Sequence, residues 1–242
     1  MTKLHKALLS RLDKAVWEYN MFEDNDSVLV AVSGGADSMA LLDLLALQIH
    51  HYAENIRLNA VYIDLGFGEY ADERCGAIQN YFESLRVDHK TIRADIGPYA
   101  HSEANRENPC FLCSRMKRRR LFETAEELGC KKIVFGHHKD DIIETLLINM
   151  IWGREISTMT PALPVFQGKY VVLRPMLYID EHMIKKYCAE RSIPTIDQGC
   201  PTDGHSKRQY IKEMLERLET DVRGAKENIF VSMRRVKPDY LL

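Results

Sequence analysis

No uninterrupted apolar stretch in these 242 residues approaches the roughly 20 that a membrane-spanning helix needs, and the first residues carry no apolar signal-like core. Membrane insertion is therefore not expected, and a cytoplasmic location is the default expectation. Net charge is nearly absent too: 33 Lys and Arg against 35 Asp and Glu leave −2, so no global field draws the chain to a polyanion. Internal repeats and low-complexity tracts are lacking, which excludes solenoids and disordered arms. The six cysteines include a single Cys-x-x-Cys pair, whereas a four-thiolate zinc site needs two. No glycine-rich loop ends in Gly-Lys-Ser/Thr, so the loop of ordinary γ-phosphate transfer is excluded.

What is present is a different phosphate signature. The apolar run Ser27-Val28-Leu29-Val30-Ala31-Val32 leads into Ser33-Gly34-Gly35-Ala36-Asp37-Ser38, and a helical pattern starts at Met39. A strand, a glycine turn and a helix start form an anion site. The glycines turn backbone N–H groups inward and the helix N-terminus adds positive dipole. Ser33 and Ser38 offer hydroxyl donors. Asp37 would repel a bare phosphate, so it points to a bridging Mg²⁺. A second polar cluster, Gly136-His137-His138-Lys139-Asp140-Asp141, repeats the strand–turn–helix layout. Its alternative role is structural, with Asp140 capping a helix that begins at Asp141.

Strands are expected at 28–32, 58–64, 89–93, 132–135 and 170–173. Helices are expected over 1–22, from the first turn to about 48, and over 71–85, 110–128, 142–151, 181–191 and 206–218. The stretches 95–108 and 154–169 read as loops. This alternation predicts an α/β fold, a doubly wound parallel sheet of about five strands with an N-terminal helix and a helical C-terminal tail. The expected division is an N-terminal helix over 1–24, a nucleotide-binding domain over 25–190 and a tail over 191–242 that contributes Cys200. The first helix either completes the core or makes a homodimer contact. Ligands of such sheets bind beyond the carboxyl ends of the strands, so Ser33–Ser38, Asp64 and the 137–141 cluster should converge on one crevice.

Cys75, Cys130 and Cys188 fall in helical or helix-end patterns and read as core thiols. Cys110 and Cys113 sit three apart at a helix start, where both can face one ligand: zinc, an iron–sulfur cluster or a redox pair. Cys200 is the remaining candidate thiol. Three thiolates leave a cubane cluster with one iron lacking a protein ligand, whereas Asp203 or His205 could close a zinc site. Lys117 lies one helical turn beyond Cys113, on the same face. Arg115-Met116-Lys117-Arg118-Arg119-Arg120 packs five cations into six positions and makes a local polyanion patch, or simply a solvated helix face.

Taken together these segments resemble the PP-loop ATP-pyrophosphatase superfamily and, within it, the TtcA/TtuA group of tRNA thiolation enzymes, nearest its 2-thiocytidine-forming branch. The resemblance is carried by Ser33–Ser38, by Cys110-Phe111-Leu112-Cys113-Ser114-Arg115-Met116-Lys117-Arg118, by Gly136–Thr145, by Asn149-Met150-Ile151-Trp152-Gly153, and by Arg174-Pro175-Met176 and Lys207-Arg208-Gln209. It implies an adenine-nucleotide α-hydrolase-like fold, ATP and Mg²⁺, and adenylation of a base carbonyl in tRNA followed by sulfur transfer. It also implies a [4Fe–4S] cluster on Cys110, Cys113 and Cys200, and a sulfur donor or cysteine desulfurase system as partner. Catalytic positions fall on Asp37, Lys117 and Asp141. ATP contacts fall on Ala31, Ser33, Gly34, Gly35, Ser38, Ile63, Gly136, His137 and Asp140. The chain departs from the group in two places: Ala36 stands where Lys is usual, and a single Cys200 replaces a second Cys-x-x-Cys. The rival expectations are the same chemistry on a small molecule, and a zinc-stabilised nucleotide-binding module.

Overall fold

A computed structural model describes residues 1–68, 70–202 and 207–240. In chain order the elements are α1 (Lys3–Glu18), β1 (Ser27–Val32), α2 (Ala36–Tyr52), β2 (Arg57–Asp64), α3 (Ala71–Ser84), β3 (Asp88–Arg93), α4 (Ile96–Ala100), α5 (Pro109–Glu127), β4 (Lys132–Val134), α6 (Lys139–Ile148), β5 (Ala162–Val165), β6 (Tyr170–Leu173), α7 (Glu181–Arg191), α8 (Lys207–Asp221) and α9 (Ala225–Ser232). The strands form one sheet in the order β3-β2-β1-β4-β6-β5. All neighbours pair in parallel except β5, which runs antiparallel to β6.

The sheet buries both faces, which explains why β1 and β4 read as continuous apolar runs rather than alternating ones. One face carries the larger core, where Leu8 and Leu12 of α1, Leu41 and Leu44 of α2, and Ile184 and Tyr187 of α7 meet Val28 and Val30. The apolar stripe of α1 is thus turned into this core. On the other face Leu29, Val61 and Ile133 pack against Leu121 and Ala125 of α5 and Ile96 and Ala100 of α4. The chain moves outward in one direction from β1 to β3 and in the other from β4 to β5, so the strand order reverses between β1 and β4. A crevice opens at that switch point, beyond the carboxyl ends of the strands.

Two stretches expected to be loops contain regular structure. Residues 162–165 form the edge strand β5 despite Pro164. Its partner Val171 donates its own N–H to Lys131 O on the far side at 2.9 Å, so the pairing asks Pro164 for no donor. The five-residue helix α4 lies inside the stretch 95–108. At its far end α6 gives way to a π-helical turn, Asn149–Gly153. No helix among the described residues is long and apolar enough to cross a membrane. Cys75, Cys130 and Cys188 are buried, as expected of core thiols. Asp203, His205 and the start of the helix expected from residue 206 lie outside the described residues.

Candidate functional site

The loop after β1 is shaped by its own hydroxyls. Ser38 Oγ donates to Gly35 O at 3.0 Å and accepts from Ser33 N at 3.0 Å. That engages its only proton, so the neighbouring Ser33 hydroxyl donates to it across 3.1 Å. Ser38 therefore sets the loop's curvature rather than reaching a ligand as a donor. Gly34 has φ +89°, and a side chain there would press on Ile196 O and Cβ at 3.2 and 3.3 Å. Helix α2 starts at Gly35 with no side-chain cap, which leaves its first-turn amides pointing into the crevice.

The loop after β4 closes onto the first one. A Cβ on Gly136 would lie 2.9 Å from Asp37 C, Asp37 O and Ser38 N, so only glycine permits this approach. Helix α6 is capped by His138, with Asp141 at its third position accepting from His138 N at 3.0 Å. The His138 ring stands between two acids, its Nε2 3.6 Å from Asp37 and 3.5 Å from Asp141. The other oxygen of Asp141 pairs with Arg208 of α8. Of the acids at the crevice, Asp37 alone has no hydrogen bond to its carboxylate among the described residues, and two-fifths of its side chain is open. Burial, helped by Asp141 and Glu181, pushes its carboxyl above the usual range against His138 and Lys185. An oxygen donor in this state fits a hard divalent cation shared with phosphates.

Three thiols gather at the same end of the sheet. Asn108 accepts from Phe111 N at 3.2 Å and Pro109 opens α5, which puts Cys110 and Cys113 on its first turn. Cys200 arrives on the irregular segment after α7, whose last turn is fastened by Arg191 to the buried Asp43 at 2.9 Å. Thr202 Oγ1 lies 3.3 Å from Cys110 Sγ and 3.4 Å from Cys200 Sγ. Burial raises the Cys113 thiol, with Cys200 and Cys110 adding to the shift and Lys117 opposing it, so all three sulfurs and Lys117 sense one another. Among the described residues no three His, Cys, Asp or Glu side chains converge tightly enough for a single ion. A cubane takes its thiolates on different irons, so Cys110, Cys113 and Cys200 are the residues that could hold one.

The two nucleotide-side loops open on a cleft of about 800 Å³ between α5 and the sheet; Cys110, Cys113 and Cys200 do not line it, and Ser114, Lys117 and Gln198 are its lining residues nearest to them in the chain. Ser33, Asp37, Ser38, Gly136, His137 and Asp141 line its upper part; Ala31, Val61 and Ile63 its floor; and Ser114, Lys117 and Arg118 its roof. Arg119 and Arg120 pair with Glu123, whereas Lys117 and Arg118 have no ion pair among the described residues. A family model describing the PP-loop domain matches residues 4–218. The chain belongs to the PP-loop family. It is 37% identical over 249 residues to the tRNA-cytidine(32) 2-sulfurtransferase of Nitrosospira multiformis, covering 99% of this chain and 80% of that relative. The enzyme of the same name from Methylobacillus flagellatus is 36% identical over 244 residues, covering 99% and 78%. Among solved structures, the U34-tRNA thiolase NcsA from Methanococcus maripaludis with its [4Fe–4S] cluster superposes with a TM-score of 0.78. That match covers 96% of this chain and 79% of the other at 20% identity, so it shows the fold.

Within the PP-loop site, two acids lie elsewhere than the sequence suggests. Asp140 does not line the cleft. It accepts from Glu181 N at 2.8 Å and pairs with Lys226 at 3.0 Å, tying α6 to α7 and α9. Burial opposes its ionisation, but those two donors outweigh burial and hold its carboxyl below the usual range. Asp64, expected at the crevice, is buried and held by Arg74 at 2.9 Å and Gly66 N at 2.9 Å. Conversely, the sequence expectations gave no site role to Arg174 or Gln198. Arg174 directly follows β6, is only 9% exposed, and faces the cleft without a carboxylate partner among the described residues. Its Nε donates to His137 Nδ1 at 3.3 Å. Burial, with Arg174 and Arg208 adding and Asp141 opposing, pushes His137 down to about 4, so the ring is neutral with its proton on Nε2. The sequence marked Arg174 only as part of the Arg174-Pro175-Met176 segment that carries the family resemblance, and Gln198 only by its closeness to Cys200.

Behind the cleft, Glu144 of α6 is 5% exposed and shares Arg208 at 3.2 Å. Burial, with Asp141 adding, pushes its carboxyl up to about 7 against Arg208. The unfolded chain loses this proton near pH 4.5 and the folded chain keeps it to about 7, so stability falls as pH rises through that window. Glu144→Gln is expected to flatten this slope and to gain about 1–3 kcal/mol at about pH 8. Urea midpoints at about pH 5 and about pH 8 check it; an unchanged difference between them would contradict the assignment.

Proposed function

We propose that this chain replaces the carbonyl oxygen of a tRNA base with sulfur, using ATP to activate the oxygen. The first acceptor to examine is cytidine 32, which both relatives carry in their names. The observation that carries the reading is the single cleft, which runs from the uncapped N-terminus of α2 to Lys117, one turn from Cys113. The base oxygen attacks the α-phosphate and pyrophosphate leaves. A sulfur nucleophile then adds at the same carbon, and AMP departs with the oxygen. The atoms balance as base carbonyl, ATP and sulfide giving thiocarbonyl, AMP and pyrophosphate.

Each residue group has a part. The free amides of α2 hold phosphate oxygens, and Asp37 would bind Mg²⁺ against them. Ala31 and Ile63 line the nucleoside side. His137 presents an Nε2–H without adding charge. Lys117 stands between the nucleotide and the thiols, where it offsets charge developing on the activated oxygen. Cys110, Cys113 and Cys200 would hold a [4Fe–4S] cluster, which would supply an iron as the place for incoming sulfur. A sulfide source, such as a cysteine desulfurase system with a thiol reductant that releases its sulfur as sulfide, supplies that sulfur.

Arg174 answers the phosphate charge with a cation that has no acid to release. Arg174→Met is expected to weaken ATP binding about tenfold to a hundredfold while leaving the melting temperature unchanged or raised, because an unpaired buried charge disappears. Calorimetric titration with ATP and a thermal scan check both halves. A variant that melts lower with unchanged ATP affinity would assign Arg174 to the fold alone. The function itself is tested by incubating anaerobically reconstituted protein with ATP, sulfide and tRNA and digesting the RNA for nucleoside mass spectrometry. A thionucleoside formed only with ATP is expected. Full ATP turnover without RNA would assign the chemistry to a small molecule instead.

A further inference from the structure

We infer that Gln198 is a positioning residue that joins the nucleotide loop to the thiol that completes the cluster site, so that occupation of either site tightens the other. The inference rests on the reading above, in which ATP occupies the PP-loop and Cys200 is a cluster ligand. The side-chain amide of Gln198 is engaged on both ends. Its Nε2 donates to Ser33 O at 3.0 Å and to Ile63 O at 3.2 Å, and its Oε1 accepts from Leu65 N at 2.9 Å. Ser33 is the first residue of the phosphate loop, and Ile63 and Leu65 flank the end of β2. Two residues earlier, Ile196 N donates to Gly34 O at 2.8 Å. Two residues later comes Cys200.

The stretch 192–202 has no helix or strand to hold it. Its register over the crevice depends on these four bonds, on the Asp197 carboxylate that accepts from Gly199 N at 2.8 Å, and on Ile193, whose N–H bonds Cys188 O at 2.9 Å. The carbonyls that Gln198 and Ile196 grip belong to Ser33 and Gly34, whose conformation presents the loop's N–H groups to phosphate. Ordering those two residues with a nucleotide therefore orders the segment that delivers Cys200. By the same bonds, fixing Cys200 on iron stiffens the phosphate loop. Such coupling is reciprocal: each ligand changes the other's affinity by one common factor. Side-chain chemistry is also specified. Asparagine is one methylene too short to span the three partners. Glutamate would set a carboxylate oxygen against the carbonyls of Ser33 and Ile63 while keeping the acceptor for Leu65.

The test compares ATP dissociation constants of the full chain, measured anaerobically by calorimetry, before and after loading with iron and sulfide. Loading of the wild-type chain is expected to tighten ATP about fivefold or more. Gln198→Leu and Gln198→Glu are expected to shrink that ratio to about one and to lower iron retained per chain during gel filtration, with thermal unfolding read in parallel. A wild-type ratio below about twofold, or a Gln198→Glu chain that keeps the full ratio, overturns the inference. A change in melting temperature with the ratio intact also overturns it, because Gln198 would then only support the fold. A wild-type chain that binds ATP but takes up no iron overturns the cluster reading itself, an outcome distinct from the other two.

Discussion

Asp37→Ala is expected to lower ATP conversion to AMP and pyrophosphate by about a thousandfold while leaving the fold intact. The expectation follows from how the four acids near the crevice are engaged. Asp64 belongs to Arg74, Asp140 to Glu181 N and Lys226, and Asp141 to His138 N and Arg208. Asp37 alone of the four has no hydrogen bond to its carboxylate among the described residues, and burial together with Asp141 makes its charge costly. Removing it takes away the metal's protein oxygen and disturbs no packing. The sign reverses without divalent ions: Asp37→Asn then removes a like charge from beside the phosphates and is expected to tighten ATP about threefold to tenfold in chelator. Pyrophosphate release and calorimetry with and without Mg²⁺ read the two effects. A variant keeping a tenth or more of wild-type turnover would move the metal site away from Asp37.

Cys113→Ala is expected to abolish thiolation and the brown iron–sulfur absorbance, yet to leave RNA-dependent pyrophosphate release measurable. Cys113 is buried on the first turn of α5, and burial keeps its thiol protonated at neutral pH when nothing is bound. Only a metal centre makes it a thiolate there. The same loss is expected for Cys110→Ala and Cys200→Ala, since both sulfurs lie against Thr202 Oγ1. The nucleotide loop is built from β1, α2 and the turn after β4, none of which uses these sulfurs, so activation should survive their loss. Iron, sulfide and zinc analysis of anaerobically prepared protein decides the matter. Stoichiometric zinc in the wild-type chain, with no sulfide, would replace the cluster by a structural ion.

The first phosphate loop is legible in the sequence because each of its requirements is local. Gly34 must take a positive φ, Ser38 must reach back to Gly35, and the helix must start at once. The second loop is legible in outline but not in detail. Neighbouring helical residues point about 100° apart, so Asp140 and Asp141 cannot both face the cleft, and only the docking of α7 and α9 selects Asp141. Asp64 ends its strand where a ligand residue should, but Arg74, one turn into α3, turns it inward. Strand β5 is obscured by Pro164, whose missing donor matters only once the pairing side is known. Gln198 carries no pattern at all. Its three partners lie 133 to 165 positions away and appear only when the chain is folded.

On this reading, activation and sulfur transfer happen within one chain. Mixing Asp37→Ala protein with Cys113→Ala protein, both anaerobically treated with iron and sulfide, tests this most directly, with thionucleoside formed in tRNA as the readout. The mixture is predicted to yield no more than the two variants assayed separately, because neither chain holds both a working nucleotide site and a complete thiol set. Recovery of a substantial share of wild-type yield would contradict the account: an activated base would then have passed between chains, or a site would be shared between them.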